Sequence, residues 1–139
     1  MPWSVVKQRL MMERRRLAEL FLKEAEENLA ALAEGRLLVS RQFETVKAAD
    51  QLQFITPDLQ RQLAKVYERV TTVNDGLVKY QRFRSAGAGQ DDYEKKTAEF
   101  QQFIAWYREG LNTALLNLRG RLNEEMREPA EPELMARGQ

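Results

Sequence analysis

Apolar residues recur at alternating spacings of four and three in two long stretches of the chain. This spacing places each set on one side of a helix, so both stretches are predicted to be amphipathic helices that pack against neighbours. The first stripe comprises Leu59, Leu63, Val66, Val70, Val73, Leu77 and Tyr80. The second comprises Tyr93, Thr97, Phe100, Ile104, Tyr107, Leu111, Ala114 and Leu118.

Capping and breaking residues set the predicted ends of the long helices. A first helix is predicted from Trp3 or Ser4 to Glu34, because Gly35 stands where a C-terminal cap is expected. In Thr56-Pro57-Asp58, Thr56 is expected to supply the capping oxygen and Pro57 to occupy the first turn. That helix should continue to about Arg84.

A small-residue loop, Ser85 to Gln90, should lead into the last helix. Asp91 or Asp92 is expected to cap that helix, which should end near Arg127.

The stretch from Arg36 to Thr56 is the least regular part of the sequence. Thr45 is expected to cap a short helix that carries Val46 and Ala49. A strand is the competing prediction for Arg36 to Ser40, but the sequence offers no second strand to pair with it. We therefore expect a connector followed by a short helix.

These elements predict an all-α fold, an antiparallel helical bundle of three long helices and one short helix. The bundle should occupy residues 1–128 as a single domain, and residues 129–139 should form a disordered acidic tail. The expected core consists of Leu17, Phe21, Leu29, Leu32, Leu63, Val66, Val70, Val73, Leu77, Phe100, Ile104, Tyr107, Leu111 and Leu118.

Composition argues against an enzyme. The 139 residues include no histidine and no cysteine, which removes the common nucleophile systems and most metal ligands. The acidic clusters Glu24-Ala25-Glu26-Glu27 and Asp91-Asp92 are interpreted as a solvated face or a helix cap rather than a metal site, because adjacent helical residues point in different directions. We expect no catalytic residues, no metal and no cofactor.

Charge is nearly balanced overall, at +1, but is unevenly distributed. Residues 1–16 carry a net charge of +4 and residues 123–139 a net charge of −3. The basic cluster consists of Lys7, Arg9, Arg14, Arg15 and Arg16. Three interpretations stay open: pairing with glutamates of a neighbouring helix, attraction to an anionic membrane surface, and phosphate contacts on nucleic acid, the last being the least favoured. The first would bring Arg14–Arg16 against Glu124, Glu125 and Glu128, within one subunit or across a dimer.

Aromatic residues widen the apolar face of the last helix. Phe103 and Trp106 flank its main stripe, which is typical of a helix partly covered by a second subunit. Gly110 and Ala114, four residues apart, would allow close approach of another helix. These features predict a homo-oligomer, with a dimer favoured.

Short motifs between Phe21 and Tyr80 resemble those of small prokaryotic helical domains. The shared features are Glu26-Glu27-Asn28-Leu29, then Phe43-Glu44-Thr45 with Ala48, then Leu59, Leu63, Tyr67 and Asn74. Those domains have an uncharacterised function and are often attached to a membrane anchor. Here the N-terminal region is charged and amphipathic instead, so the resemblance implies surface attachment in place of insertion.

Together these features predict a non-enzymatic protein-interaction or scaffold module that self-associates through helix packing, with an unknown protein partner. The alternative is a peripheral module that attaches to a membrane surface or nucleic acid through its basic N-terminal helix. With no apparent signal peptide, the expected location is the cytoplasm, with membrane association as the variant.

Overall fold

The computed structural model describes residues 2–87, 89 and 92–127. It is all-α over these residues, with three long helices and one short helix as predicted. Helix α1 spans Trp3–Glu34, α2 spans Arg41–Ala48, α3 spans Pro57–Gly87 and α4 spans Tyr93–Arg127. A single 3₁₀ turn at Leu52–Phe54 joins α2 to α3. The tail predicted at residues 129–139 lies outside the described residues, as do Glu128 and Asp91.

Contacts between helices fix their directions. Asn28 and Asn74 bond the adjacent residues Val39 and Leu38, while Glu24 meets Tyr67, so α1 and α3 run in the same direction. Helix α4 returns antiparallel to both of them: Gly76 lies against Phe103, and Gly110 lies beneath Arg69. The fourth position of the bundle is filled by the chain that links α1 to α3.

Several predicted helix ends are confirmed. Helix α1 has the predicted bounds, and Gly35 ends it with φ 72° in the left-handed region. Helix α3 begins at Pro57 but continues to Gly87, so the predicted loop at Ser85 starts later. Asp92 directly precedes α4, and its carbonyl accepts the Lys96 amide at 2.9 Å.

Two predicted caps are wrong. The Thr56 hydroxyl is buried and makes no hydrogen bond to any described group, so it does not cap α3. Thr45 lies inside α2, which begins four residues earlier, at Arg41. In both places local sequence suggested a capping oxygen, but packing placed the side chain elsewhere.

The core follows the predicted stripes closely. Ten of the predicted core residues are buried: Leu17, Phe21, Leu32, Leu63, Val66, Val70, Val73, Ile104, Leu111 and Leu118. The other four, Leu29, Leu77, Phe100 and Tyr107, are half-buried at its margin. The structure adds Leu115 and Leu122 on α4 and Phe43, Val46 and Ile55 from the linking chain.

The helices extend past one another at both ends of the bundle. Arg14 donates to the Phe54 carbonyl just before α3 begins, so residues 3–13 of α1 lie beyond the start of α3. At the opposite end, α3 and α4 continue past α1 as a hairpin. Its inner face is filled by aromatic rings, with Phe83 5.4 Å from Tyr93 and 5.2 Å from Phe100 between ring centroids.

Candidate functional site

A buried carboxyl group organises the start of α2. Glu24 is only 1% exposed and accepts the amides of Gln42 at 2.7 Å and Phe43 at 3.3 Å. These are early N–H groups of α2, which lack partners within the helix, and the preceding Ser40 makes no side-chain capping bond. A negative group at a helix N-terminus is also favoured by the helix dipole. Glu24 therefore caps α2 from a different helix.

Tyr67 completes the surroundings of this carboxyl group. Its hydroxyl donates to Glu24 Oε1 at 2.5 Å, and its ring stacks on Phe43 with centroids 4.2 Å apart. Burial raises the pKa of Tyr67 well above its usual value, and the hydrogen bond to Glu24 and its charge raise it further. Tyr67 is therefore an uncharged phenol that donates a hydrogen bond to the Glu24 carboxyl group.

Two asparagines hold the extended chain that precedes α2. Asn28 exchanges a pair of hydrogen bonds with the Val39 backbone, at 2.8 and 2.7 Å. Asn74 does the same with the Leu38 backbone, at 2.8 and 2.9 Å. These bonds satisfy the backbone groups that a strand would otherwise pair with another strand. The segment needs no partner strand because side chains of α1 and α3 replace it.

This polar network is an internal structural element. Glu24 and Asn28 are each 1% exposed, and their polar atoms bond to the protein itself. Glu24 is thus not part of a solvated face, and the other interpretation, a helix cap, describes its role at the start of α2. The signal that would have identified it is its spacing, because Leu17, Phe21, Glu24 and Asn28 follow the four-and-three pattern of a buried stripe.

The described residues contain neither a cluster of metal-ligating side chains nor a membrane-spanning helix. No group of three or more acidic side chains among them converges in a way that would hold a metal ion. Within the same residues, none of the helices is both long and apolar enough to cross a bilayer.

The basic cluster divides into paired and solvent-facing residues. Arg14 donates to the Phe54 carbonyl at 2.8 Å, and Arg16 pairs with Glu13 at 3.0 Å. Arg9 and Arg15 are exposed, and Lys7 is half-buried with its Nζ 5.4 Å from the centroid of the Trp3 ring. The structure does not bring these five residues to a single common surface.

Within the described residues, Arg14, Arg15 and Arg16 form no salt bridge with Glu124 or Glu125, and Glu128 lies outside those residues. Arg14 and Arg16 take the partners given above, while Glu125 pairs with Arg121 of its own helix at 2.9 Å. The predicted geometry was nevertheless correct in one respect. Because α1 and α4 are antiparallel, the beginning of α1 and the end of α4 lie at the same end of the bundle.

Phe103, Trp106 and Gly110 share the outer side of α4. Phe103 is 45% exposed and Trp106 is 69% exposed, and both rings pack on Tyr107, at centroid distances of 4.5 and 4.8 Å. Gly110 does not adjoin a helix backbone. Instead the Arg69 guanidinium of α3 crosses it, with Nη1 only 2.9 Å from the position a Cβ would take. The result is an aromatic surface beside a shallow small-residue surface on the same helix.

Comparison with known proteins gave no relative: the chain matches no protein-family model, no curated protein and no solved structure. The class that the structure defines is a helical bundle with a hydrogen-bonded internal polar network around Glu24, Asn28 and Asn74 and with large aromatic side chains exposed on α1 and α4.

Proposed function

We propose that this protein is a non-enzymatic interaction or scaffold module that self-associates through helix packing. The observation that carries the proposal is the exposure of Phe103 and Trp106 in the middle of α4. The opposite side of the same helix is fully packed, with Leu111, Leu115 and Leu118 at most 1% exposed. Trp106 therefore contributes little to the core of the single chain, and Phe103 leaves 45% of its surface exposed although one edge of its ring lies against Gly76 of α3.

Aromatic side chains at the surface are typical of interfaces. Tryptophan, tyrosine and phenylalanine are enriched at the centres of protein–protein contacts, and Trp frequently contributes most of the binding energy. Here Trp106 makes an edge contact with Tyr107, at an interplanar angle of 88°, and leaves most of its surface to solvent. Covering this surface with a protein partner removes the exposed apolar area from water.

The buried titratable groups already have a structural role, and this supports the non-enzymatic part of the proposal. Glu24 and Tyr67 are the strongest chemical candidates, but they bond to each other and to the backbone of α2. A catalytic group must reach its substrate within hydrogen-bonding distance. Side chains that are 1% and 5% exposed offer no such approach.

Sedimentation equilibrium across the micromolar range tests self-association, and the two tryptophans provide a matched pair. We expect a concentration-dependent dimer that Trp106→Ala weakens by about tenfold or more, as hot-spot truncations do. Trp3→Ala removes an equally exposed side chain, since Trp3 is 70% exposed, and should leave the equilibrium unchanged. A monomer at all concentrations, or equal effects of the two variants, would overturn the proposal.

Membrane-surface attachment is the second candidate, favoured by the part of α1 that lies beyond the bundle. Trp3 and Val6 continue the stripe that buries Leu17 and Phe21, yet they are 70% and 39% exposed. Arg9 and Arg15 of the same helix are exposed to solvent. Apolar and basic residues together are typical of helices that lie in an anionic interface.

Cosedimentation with phosphatidylserine-containing vesicles tests this second candidate. Arg9→Glu combined with Arg15→Glu should abolish binding, and binding by the wild type should weaken with salt. A control with Lys23→Glu and Lys65→Glu makes the same charge change at exposed positions on other parts of the bundle. Equal losses in both double variants would point to a nonspecific charge effect. Binding to duplex DNA that is insensitive to Trp3→Ala would instead favour the nucleic-acid alternative.

A further inference from the structure

The outer side of α4 carries a second regular stripe, distinct from the one that faces the core. At 100° per residue, its members fall within an arc of about 100°. They alternate in spacing by three and four along 18 residues, a length of about 27 Å. The stripe consists of Phe103, Trp106, Gly110, Thr113, Asn117 and Gly120; Gly110 is half-buried and the others are exposed, Phe103 at 45% because one edge of its ring lies against Gly76 of α3.

This outer stripe contains no charged residue of α4, although 31% of the chain is charged; the Arg69 guanidinium of α3 lies over it at Gly110. Charged residues within the same span of α4 lie elsewhere on the helix, at Arg108, Glu109 and Arg119. Depletion of charge together with enrichment in aromatic residues distinguishes the centre of a protein interface from ordinary surface. The outer stripe is therefore better suited to contact another protein surface than to bind a charged ligand.

The order of side-chain sizes along the outer stripe indicates which protein surface fits against it. Large residues, Phe103 and Trp106, occupy one end, while the smaller Asn117 and Gly120 occupy the other. Consider two antiparallel copies of α4 whose two-fold axis passes between Leu111 and Asn112. In this register Phe103 lies opposite Gly120 of the partner subunit. The same register places Trp106 opposite Asn117 of the partner subunit and Gly110 opposite Thr113 of the partner subunit. Every layer then joins a larger side chain to a smaller one.

A parallel arrangement lacks this complementarity. It would set Trp106 against Trp106 of the partner subunit and leave Gly110 facing Gly110 of the partner subunit. Bulky layers would then alternate with empty ones, and both overpacking and cavities are destabilising. Size alternation therefore selects the antiparallel register.

Charges next to the outer stripe are compatible with the antiparallel register. Glu109 lies level with Ala114 of the partner subunit, so no like charges meet within the contact. One turn beyond each end, Glu99 lies opposite Glu124 of the partner subunit. Salt should screen this repulsion and tighten the pairing, whereas it would weaken an association that depends on the basic cluster.

From these relations we infer that the outer stripe of α4 pairs with the same stripe of a second copy, antiparallel and centred between residues 111 and 112. This inference rests on the proposed self-association and specifies its surface, direction and register. The contact is isologous, because each stripe presents both the large and the small half of the interface. Arg69, which crosses Gly110, is exposed and long enough to swing aside as the helices close.

Single-cysteine variants can test the register directly, because the natural sequence contains no cysteine. In the antiparallel pair, two copies of residue 113 are offset by about 5 Å along the helix axis, and two copies of residue 120 by about 25 Å. A short bismaleimide should therefore crosslink Thr113→Cys dimers and fail to crosslink Gly120→Cys dimers. A parallel pair would crosslink both variants and would overturn the inference.

A second pair of variants tests packing in solution. Gly120 is helical with open space around its missing Cβ, so Gly120→Leu should stabilise the single chain while colliding with Phe103 of the partner subunit. We expect the dimer dissociation constant to rise by at least about tenfold. Asn112→Leu adds a similar side chain on an exposed position outside the outer stripe and should leave the constant unchanged.

The outcomes separate this inference from the proposed function. A dimer by sedimentation that shows no Thr113→Cys crosslink and no Gly120→Leu effect keeps self-association and overturns the α4 pairing. A monomer under all conditions overturns both.

Discussion

Tyr67 donates its hydroxyl hydrogen to Glu24 at 2.5 Å, linking the middle of α3 to the middle of α1. The same carboxyl group accepts two amides at the start of α2. A single side chain of α1 thus binds both the linking chain and the third helix. Since all of these groups are buried, loss of either partner leaves polar atoms without hydrogen bonds, which is costly inside a protein.

Glu24→Gln should lower the free energy of unfolding by about 1–3 kcal/mol. The amide keeps one accepting oxygen but turns a donor toward groups that also donate. Urea unfolding of Glu24→Gln measures the loss, and Glu27→Gln, at an exposed position on the same helix, is the matched control. Equal stabilities of the two variants would contradict the capping role of Glu24.

Stability should fall at alkaline pH because of Tyr67. Its pKa is raised in the folded state, so the contribution is fully present below the unfolded value of 10.0 and is lost as pH rises above it. Well above pH 10, the free energy of unfolding should fall by about 1.4 kcal/mol for each pH unit. The stability difference between wild type and Tyr67→Phe should be flat up to pH 9 and then shrink. A difference that stays constant to pH 11 would contradict the shifted pKa.

Asn74→Ala should expose the backbone of one residue selectively. Asn74 holds Leu38, while Asn28 holds the adjacent Val39. Hydrogen exchange should show that the Leu38 amide loses protection in Asn74→Ala while the Val39 amide keeps most of it. Asn112→Ala, at an exposed helical position, controls for general effects of the substitution. Equal loss of protection at both amides would indicate that the segment opens as one unit.

Two glycines should respond to alanine in opposite directions. At Gly76 a Cβ would lie 3.4 Å from the Phe103 ring, an ordinary contact, so Gly76→Ala should raise stability by up to about 1 kcal/mol through helix propensity. Gly35 has φ 72°, and an alanine there should cost about 1–2 kcal/mol. Thermal unfolding of both variants tests this contrast. If Gly76→Ala is less stable than the wild type, the Phe103 ring cannot move enough to accommodate the added methyl group.

The periodicity of apolar residues was sufficient to predict the long helices and most of the core. Helix α1 has the predicted ends because its stop signal, Gly35, is local and adopts the left-handed conformation that glycine tolerates best. The core margins were less well predicted. Leu77 and Phe100 follow the stripes but lie toward the hairpin that extends beyond α1, where only two helices remain to cover them.

The linking chain shows where local signals fail. Thr45 and Thr56 both occupy sequence contexts that suit a cap, but α2 is capped by Glu24, 18 residues before Gln42. The extended stretch at Leu38 and Val39 is satisfied by asparagines of two different helices. No short window of sequence contains these partners.

The helical class, the number of long helices and the lack of histidine and cysteine could be read from the chain alone, because each depends on composition or on spacing within one segment. Which polar residues are buried, which arginines are paired and which aromatic residues remain exposed became clear from the folded structure. Those outcomes depend on how the helices pack and on how far each extends past its neighbours. Trp3 is exposed because α1 extends beyond the start of α3, and Trp106 is exposed because it lies on the outer side of α4.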